Sequence, residues 1–71
     1  MNIDRNQFAR IIKEKRKDFG FTQSDMAEYL GISRPAYAQY ETKKNIPRLE
    51  HFLMLSAFFD IKPEILAGVK E

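Results

Sequence analysis

Apolar residues recur along this chain at three- and four-residue spacings and nowhere alternate with polar ones for long, a helical pattern rather than a strand pattern. Phe8, Ile11 and Ile12 mark the stripe of a first helix over residues 5 to 18, with Asp4 as its N-cap and Gly20 placed to end it. Thr22 caps a second helix, and Asp25 three residues on is a shorter counterpart of the capping-box glutamate. Met26, Ala27 and Leu30 supply its inward face. Gly31 then stops it, and Ile32 sits in the turn as an apolar plug between two helices.

Ser33 opens the third helix, with Pro35 in a first turn where a missing N–H costs nothing. Tyr37 and Tyr40, three apart, are expected in the core. Arg34, Pro35, Ala38 and Gln39 then face outward, with Ala36 near the edge. That surface is short of charge and rich in small and amide groups, unlike a helix face that is merely solvated. After a polar loop, Pro47 is expected to open a fourth helix over residues 47 to 59, packing Leu49, Phe52, Leu53, Leu55, Ser56 and Phe59. Asp60 and Ile61 break the run. A last short helix over residues 62 to 67 has Pro63 in its first turn and Ile65 and Leu66 as anchors. The expected architecture is all-α: one compact domain of five helices joined by short loops, without repeats or linkers.

Composition narrows the function classes. Seventy-one residues make one small domain with a modest core. The absence of cysteine removes disulfides and thiolate zinc sites as sources of stability, leaving six Phe and three Tyr to fill the interior. No apolar run approaches the about 18 residues of a membrane span, and the N-terminus lacks a signal-peptide stretch, so a soluble, cytoplasmic protein is expected. The single histidine, His51, follows Glu50 without a cysteine beside it and reads as a surface or helix-face residue. No phosphate loop, metal-ligand spacing or nucleophile motif is present, so neither catalysis nor a cofactor or metal is expected.

Charge is informative in its distribution. The net charge is only +2, yet Arg5, Arg10, Lys13, Lys15, Arg16 and Lys17 crowd the first segment, and Lys43, Lys44 and Arg48 crowd the stretch after residue 41. A few well-placed cations suffice to meet phosphates, although solvated helix faces account for charge alone equally well. Tyr29, Tyr37 and Tyr40 suit stacking on single-stranded bases, but their helical spacing favours core packing.

Arg16, Gly20, Thr22-Gln23, Ala27, Leu30-Gly31-Ile32-Ser33, Tyr40-Glu41, Pro47, Leu49, Leu55 and Ile61 together resemble the Xre-type, lambda-repressor-like helix-turn-helix domain, from about residue 8 to 68. The resemblance implies that the second helix crosses a DNA backbone while the third lies in the major groove. Carried over by position, Ser33, Arg34, Pro35, Ala36 and Gln39 would face base edges. Arg34 can donate twice to guanine, Gln39 can pair with adenine, and Pro35 and Ala36 suit a thymine methyl. Thr22 and Gln23 would meet a phosphate at a helix N-terminus, and Lys43, Lys44, Asn45 and Arg48 would hold the other flank of the backbone. Arg16 and Glu41 would form a structural salt bridge.

The chain departs from the family pattern at Lys43, where Gly is common, at Lys15, where an apolar residue is common, and at Met54 and Phe58, which replace polar or small residues. Met54 and Phe58 are either extra core or, with Ile61, Pro63 and Ile65, a dimer surface. One domain with so few reading positions covers too few base pairs to find a unique site, so self-association through helices 4 and 5 is expected. The implied function is a dimeric transcriptional regulator, a repressor of bacterial or phage origin on a palindromic operator. Related readings are a toxin-binding antitoxin or a restriction–modification controller; an interaction module that binds no DNA is the rival.

Overall fold

The computed structural model describes residues 3–69. They form five helices and, among the described residues, no strand: α1 (Arg5–Asp18), α2 (Gln23–Leu30), α3 (Arg34–Glu41), α4 (Leu49–Phe58) and α5 (Pro63–Leu66). None is long and apolar enough to cross a membrane.

Local chemistry sets the helix starts. Asp4 Oδ1 accepts from the backbone N–H groups of Asn6 and Gln7 at 3.0 and 3.2 Å. Thr22 and Asp25 close a reciprocal capping box, each side chain accepting from the other's N–H, at 3.0 and 2.8 Å. Ser33 Oγ accepts from the N–H of Ala36 at 3.2 Å. α1 ends where Phe21 N–H returns to the Arg16 carbonyl at 3.0 Å across a left-handed Gly20.

The core is built by Phe8 and Ile12 of α1, Met26 and Leu30 of α2, Tyr37 and Tyr40 of α3, Phe52 and Leu55 of α4, then Phe59 and Leu66. Phe8 is central, edge-on to Tyr40 at 6.3 Å and tilted against Phe52 at 6.1 Å. The two ends of the described chain are stitched together. Asp4 N–H donates to the Ala67 carbonyl at 2.8 Å, and Gln7 Nε2 donates to that of Ile65 at 3.0 Å.

The fourth helix departs from the sequence-based expectation. It begins at Leu49 with Arg48 as an N-cap that makes no side-chain cap bond, and Pro47 is buried just outside it. Its inward arc is His51, Phe52, Leu55 and Ser56, continued by Phe59. Leu49 and Leu53 instead lie outside, at 61% and 48% exposure. Apolar side chains run nearly around this helix, so periodicity alone could not choose the buried face. Likewise Ile65 is no anchor: it is exposed, while Leu66 and Ala67 are buried.

Met54, Phe58 and Ile61 are half-buried and pack against the core. Phe58 gathers an aromatic cluster, with Tyr29 at 4.7 Å, Phe21 at 5.2 Å and Phe59 at 5.1 Å. Tyr29 therefore belongs to this outer cluster, not to the central core, and its hydroxyl donates to the Met54 carbonyl at 3.2 Å. Of the residues expected at a dimer surface, only Pro63 and Ile65 are exposed. Lys15 is half-buried on the wall of an open groove of about 460 Å³, which Ile11, Ile61 and Ile65 also line.

Candidate nucleic-acid interface

The turn between α2 and α3 sets the geometry of the site. Gly31 has φ of 72° and open space around it, so backbone conformation rather than crowding calls for glycine there. Ile32 N–H bonds back to the Ala27 carbonyl at 3.0 Å, and its side chain packs, half-buried, against the core. Ser33 is extended and starts α3 at once. The supporting helix and the outward helix are thus joined by a three-residue turn with one left-handed residue, Gly31.

α3 is divided along its length. Tyr37 and Tyr40 are buried, while Ser33, Arg34, Pro35 and Gln39 are exposed and Ala36 and Ala38 half-buried. Arg34 forms no ion pair among the described residues. Its guanidinium can therefore reach outward beside the positive end of the α3 dipole, an environment suited to guanine or to an anion.

The inner face of α3 is fastened at its end. Arg16 Nε donates to Glu41 Oε2 at 2.7 Å and Nη2 to Oε1 at 3.1 Å, while Nη1 donates to the Phe21 carbonyl at 3.0 Å. Gln23 Nε2 adds a bond to Glu41 Oε1 at 3.2 Å, linking α1, α2 and α3 at one carboxylate. Burial pushes the Glu41 carboxyl up, but the hydrogen bonds from Arg16 and Gln23, with the Tyr37 hydroxyl nearby, outweigh it and hold the group below its ordinary value. The Glu41 hydrogen bond raises the Arg16 guanidinium further, so both stay charged. The Tyr37 hydroxyl is buried without a partner in good hydrogen-bonding geometry, yet close enough to influence Glu41. Burial raises its pKa, with the nearby Glu41 carboxylate acting in the same direction.

Two of the residues expected at phosphates also bond within the protein. Gln23, expected at a phosphate, is half-buried and engaged with Glu41. Asn45, expected at the other flank, donates from Nδ2 to Gln39 Oε1. Thr22 is exposed at the N-terminus of α2, and Lys43, Lys44 and Arg48 are exposed in and after the α3–α4 loop, in no ion pair among the described residues. Lys43 adopts φ of 68°, so the chain makes the left-handed turn there even without glycine.

His51 is the residue whose role sequence reasoning missed. It is buried, not on the surface, and its Nδ1 lies 2.9 Å from the Tyr40 hydroxyl. The four-residue spacing of His51, Leu55 and Phe59 was the available signal, since it puts the three on one helix face.

Comparison with known proteins extends this geometry. The helix-turn-helix family model matches residues 12–66. The uncharacterized HTH-type transcriptional regulator YqaE of Bacillus subtilis is 36% identical over 59 residues, 83% of this chain and 51% of that protein. The cryptic phage CTXphi transcriptional repressor RstR of Vibrio cholerae is 30% identical over 57 residues, 80% of this chain and 51% of that protein. The chain thus spans about half the length of these curated relatives. Among solved structures, the restriction-modification controller protein C.AhdI from Aeromonas hydrophila superposes with a TM-score of 0.75 at 27% identity, covering 89% of this chain and 96% of that one. With the helix pair, its turn and the family match in agreement, this chain belongs to the Xre-type helix-turn-helix family of transcriptional regulators.

Proposed function

We propose that this chain binds double-stranded DNA sequence-specifically as a homodimer and represses transcription by covering a promoter. The observation that carries the reading is the division of α3: an inner face locked by Tyr37, Tyr40 and Glu41, and an outer face where Arg34 forms no ion pair among the described residues. A rigid support behind a free polar face is what base readout needs. Ser33, Arg34, Pro35, Ala36 and Gln39 read base edges in the major groove. Thr22 with the α2 N-terminus, Gln23, Lys43, Lys44 and Arg48 hold the two flanks of the backbone.

The operator is palindromic, with half-sites about 34–36 Å apart, because a two-fold dimer doubles a short reading surface. Exposed apolar groups on α4 and α5 support association: Leu49 and Leu53 one turn apart on one face, Ile65 beside the open groove. Repression by occlusion asks least of so small a domain, and RstR is named a repressor. A restriction–modification controller is the second reading, favoured by the near-complete coverage of C.AhdI.

Selection from random duplex DNA tests the proposal. A symmetric motif is expected, with Arg34→Ala and Gln39→Ala each relaxing particular bases by roughly 1–3 kcal/mol and Lys44→Ala weakening all sequences alike. Affinity for random DNA falls steeply with salt if phosphates are neutralised. A motif unchanged in both reader variants, or salt-independent binding, removes the assignment.

A further inference from the structure

The loop after α3 turns back onto Gln39. With Lys43 left-handed, the Thr42 hydroxyl at 3.3 Å and the N–H groups of Lys44 at 3.1 Å and Asn45 at 3.4 Å converge on the Gln39 carbonyl. The same turn brings the Asn45 side chain alongside that of Gln39, where Asn45 Nδ2 donates to Gln39 Oε1. Both side chains belong to exposed residues, so no buried polar group requires this bond. Backbone and side chain thus tie the same two residues independently.

An isolated glutamine amide has no fixed polarity. Half a turn about its last torsion exchanges acceptor and donor at little cost, so it offers a base either order. Base edges in the major groove are distinguished by that order: adenine sets an N7 acceptor beside an N6 donor.

We infer that Asn45 is a specificity-determining positioning residue that holds the Gln39 amide against the α3–α4 loop. With Asn45 Nδ2 donating to Oε1, one end of the Gln39 amide is engaged on the loop side and the other is left for a base edge. The inference rests on α3 being the base-reading helix. Asn45 thereby acts on specificity through Gln39, which a phosphate contact would not do. An aspartate at this position can only accept, so it would engage Nε2 and turn the Gln39 amide over.

The test compares duplex-DNA selection by the wild type, Gln39→Ala, Asn45→Ala and Asn45→Asp, together with side-chain amide NMR of the free proteins. At the base position that Gln39→Ala relaxes, Asn45→Ala is expected to cut the preference by about fivefold or more. Asn45→Asp is expected to change the preferred base there, with the remaining positions unaltered. In the free protein, Asn45→Ala is expected to move the Gln39 Nε2 resonances. Comparing preferences within each variant removes the general weakening that an added negative charge causes. Uniform weakening by Asn45→Ala, wild-type preference in Asn45→Asp, or unmoved Gln39 amide signals would each overturn the inference. Should Gln39→Ala alter the motif while both Asn45 variants keep it, this inference alone falls. Should the wild type select no motif, the DNA-binding reading falls and takes this one with it.

Discussion

Arg16 and Glu41 meet through two hydrogen bonds, 2.7 and 3.1 Å long, and so pin the last residue of α3 to the last turn of α1. The Glu41 side chain is only 2% exposed, and Arg16 is 11% exposed. Such a pair gains from mutual attraction but loses hydration on both sides, so its net worth against two apolar residues is small. Losing one partner is different. Glu41→Ala leaves a buried guanidinium with only the Phe21 carbonyl and is expected to cost about 3 kcal/mol. A double-mutant cycle with Arg16→Ala and Glu41→Ala should show a coupling above about 1 kcal/mol in denaturant unfolding. Additive losses would mean that the pair contributes no mutual term.

The same carboxylate predicts acid sensitivity. Its folded-state pKa lies below the ordinary 4.5, so the stability it contributes is present above that value. That stability is lost as the pH falls through the depressed folded pKa. Melting temperature should therefore drop more steeply below about pH 4.5 in the wild type than in Glu41→Gln. Parallel curves for the two proteins would contradict the shift.

Tyr40 and Tyr37 are neighbouring buried tyrosines, but only the Tyr40 hydroxyl has a well-formed partner, His51 Nδ1. Tyr40→Phe strips the partner from buried His51 Nδ1 and is expected to cost about 1–3 kcal/mol. Tyr37→Phe removes a hydroxyl that has no well-formed bond of its own, so the loss should be smaller. Chemical denaturation of the two variants ranks them directly.

At Lys43 the backbone and the side chain make opposing demands. A left-handed φ of 68° strains a lysine, so Lys43→Gly should stabilise the fold by about 0.5–1 kcal/mol, the relief being partly offset by a more flexible unfolded chain. If the ammonium meets a phosphate, the same variant should bind all DNA sequences more weakly and lower the salt slope by about 1. Melting curves and salt titrations separate the two effects.

Leu49, Leu53 and Ile65 are exposed, so replacing them with glutamate leaves the core intact. A Leu49→Glu/Leu53→Glu variant, or Ile65→Glu, is expected to keep its melting temperature at low concentration while sedimenting as monomer. Met54→Glu or Phe58→Glu should unfold the domain, since both side chains pack on the core. Wild-type protein that sediments as monomer both free and on an operator would reject self-association.

The starts of α1, α2 and α3 and the ends of α1 and α2 were legible in the sequence. Asp4, Thr22 with Asp25, Ser33 and Gly31 act on backbone groups within four residues, so local spacing carries the whole of their physics. The split of α3 was legible too, because Tyr37 and Tyr40 contrast sharply with Arg34 and Gln39. α4 was not. Its apolar residues run around the helix, and only the position of α1 and α3 decided that His51 and Phe52 turn inward while Leu49 and Leu53 turn out.

The candidate site divides in the same way. Residue type and spacing determined by themselves that α3 carries a polar outer face and a buried aromatic one. What engages that face from behind was decided by tertiary structure. Gln23 closes on Glu41 eighteen positions away, and the loop at Lys43 returns Asn45 to Gln39. Amide side chains bond equally well to protein, phosphate or base, so their composition and spacing leave the partner open. The folded path of the chain chooses among the protein partners.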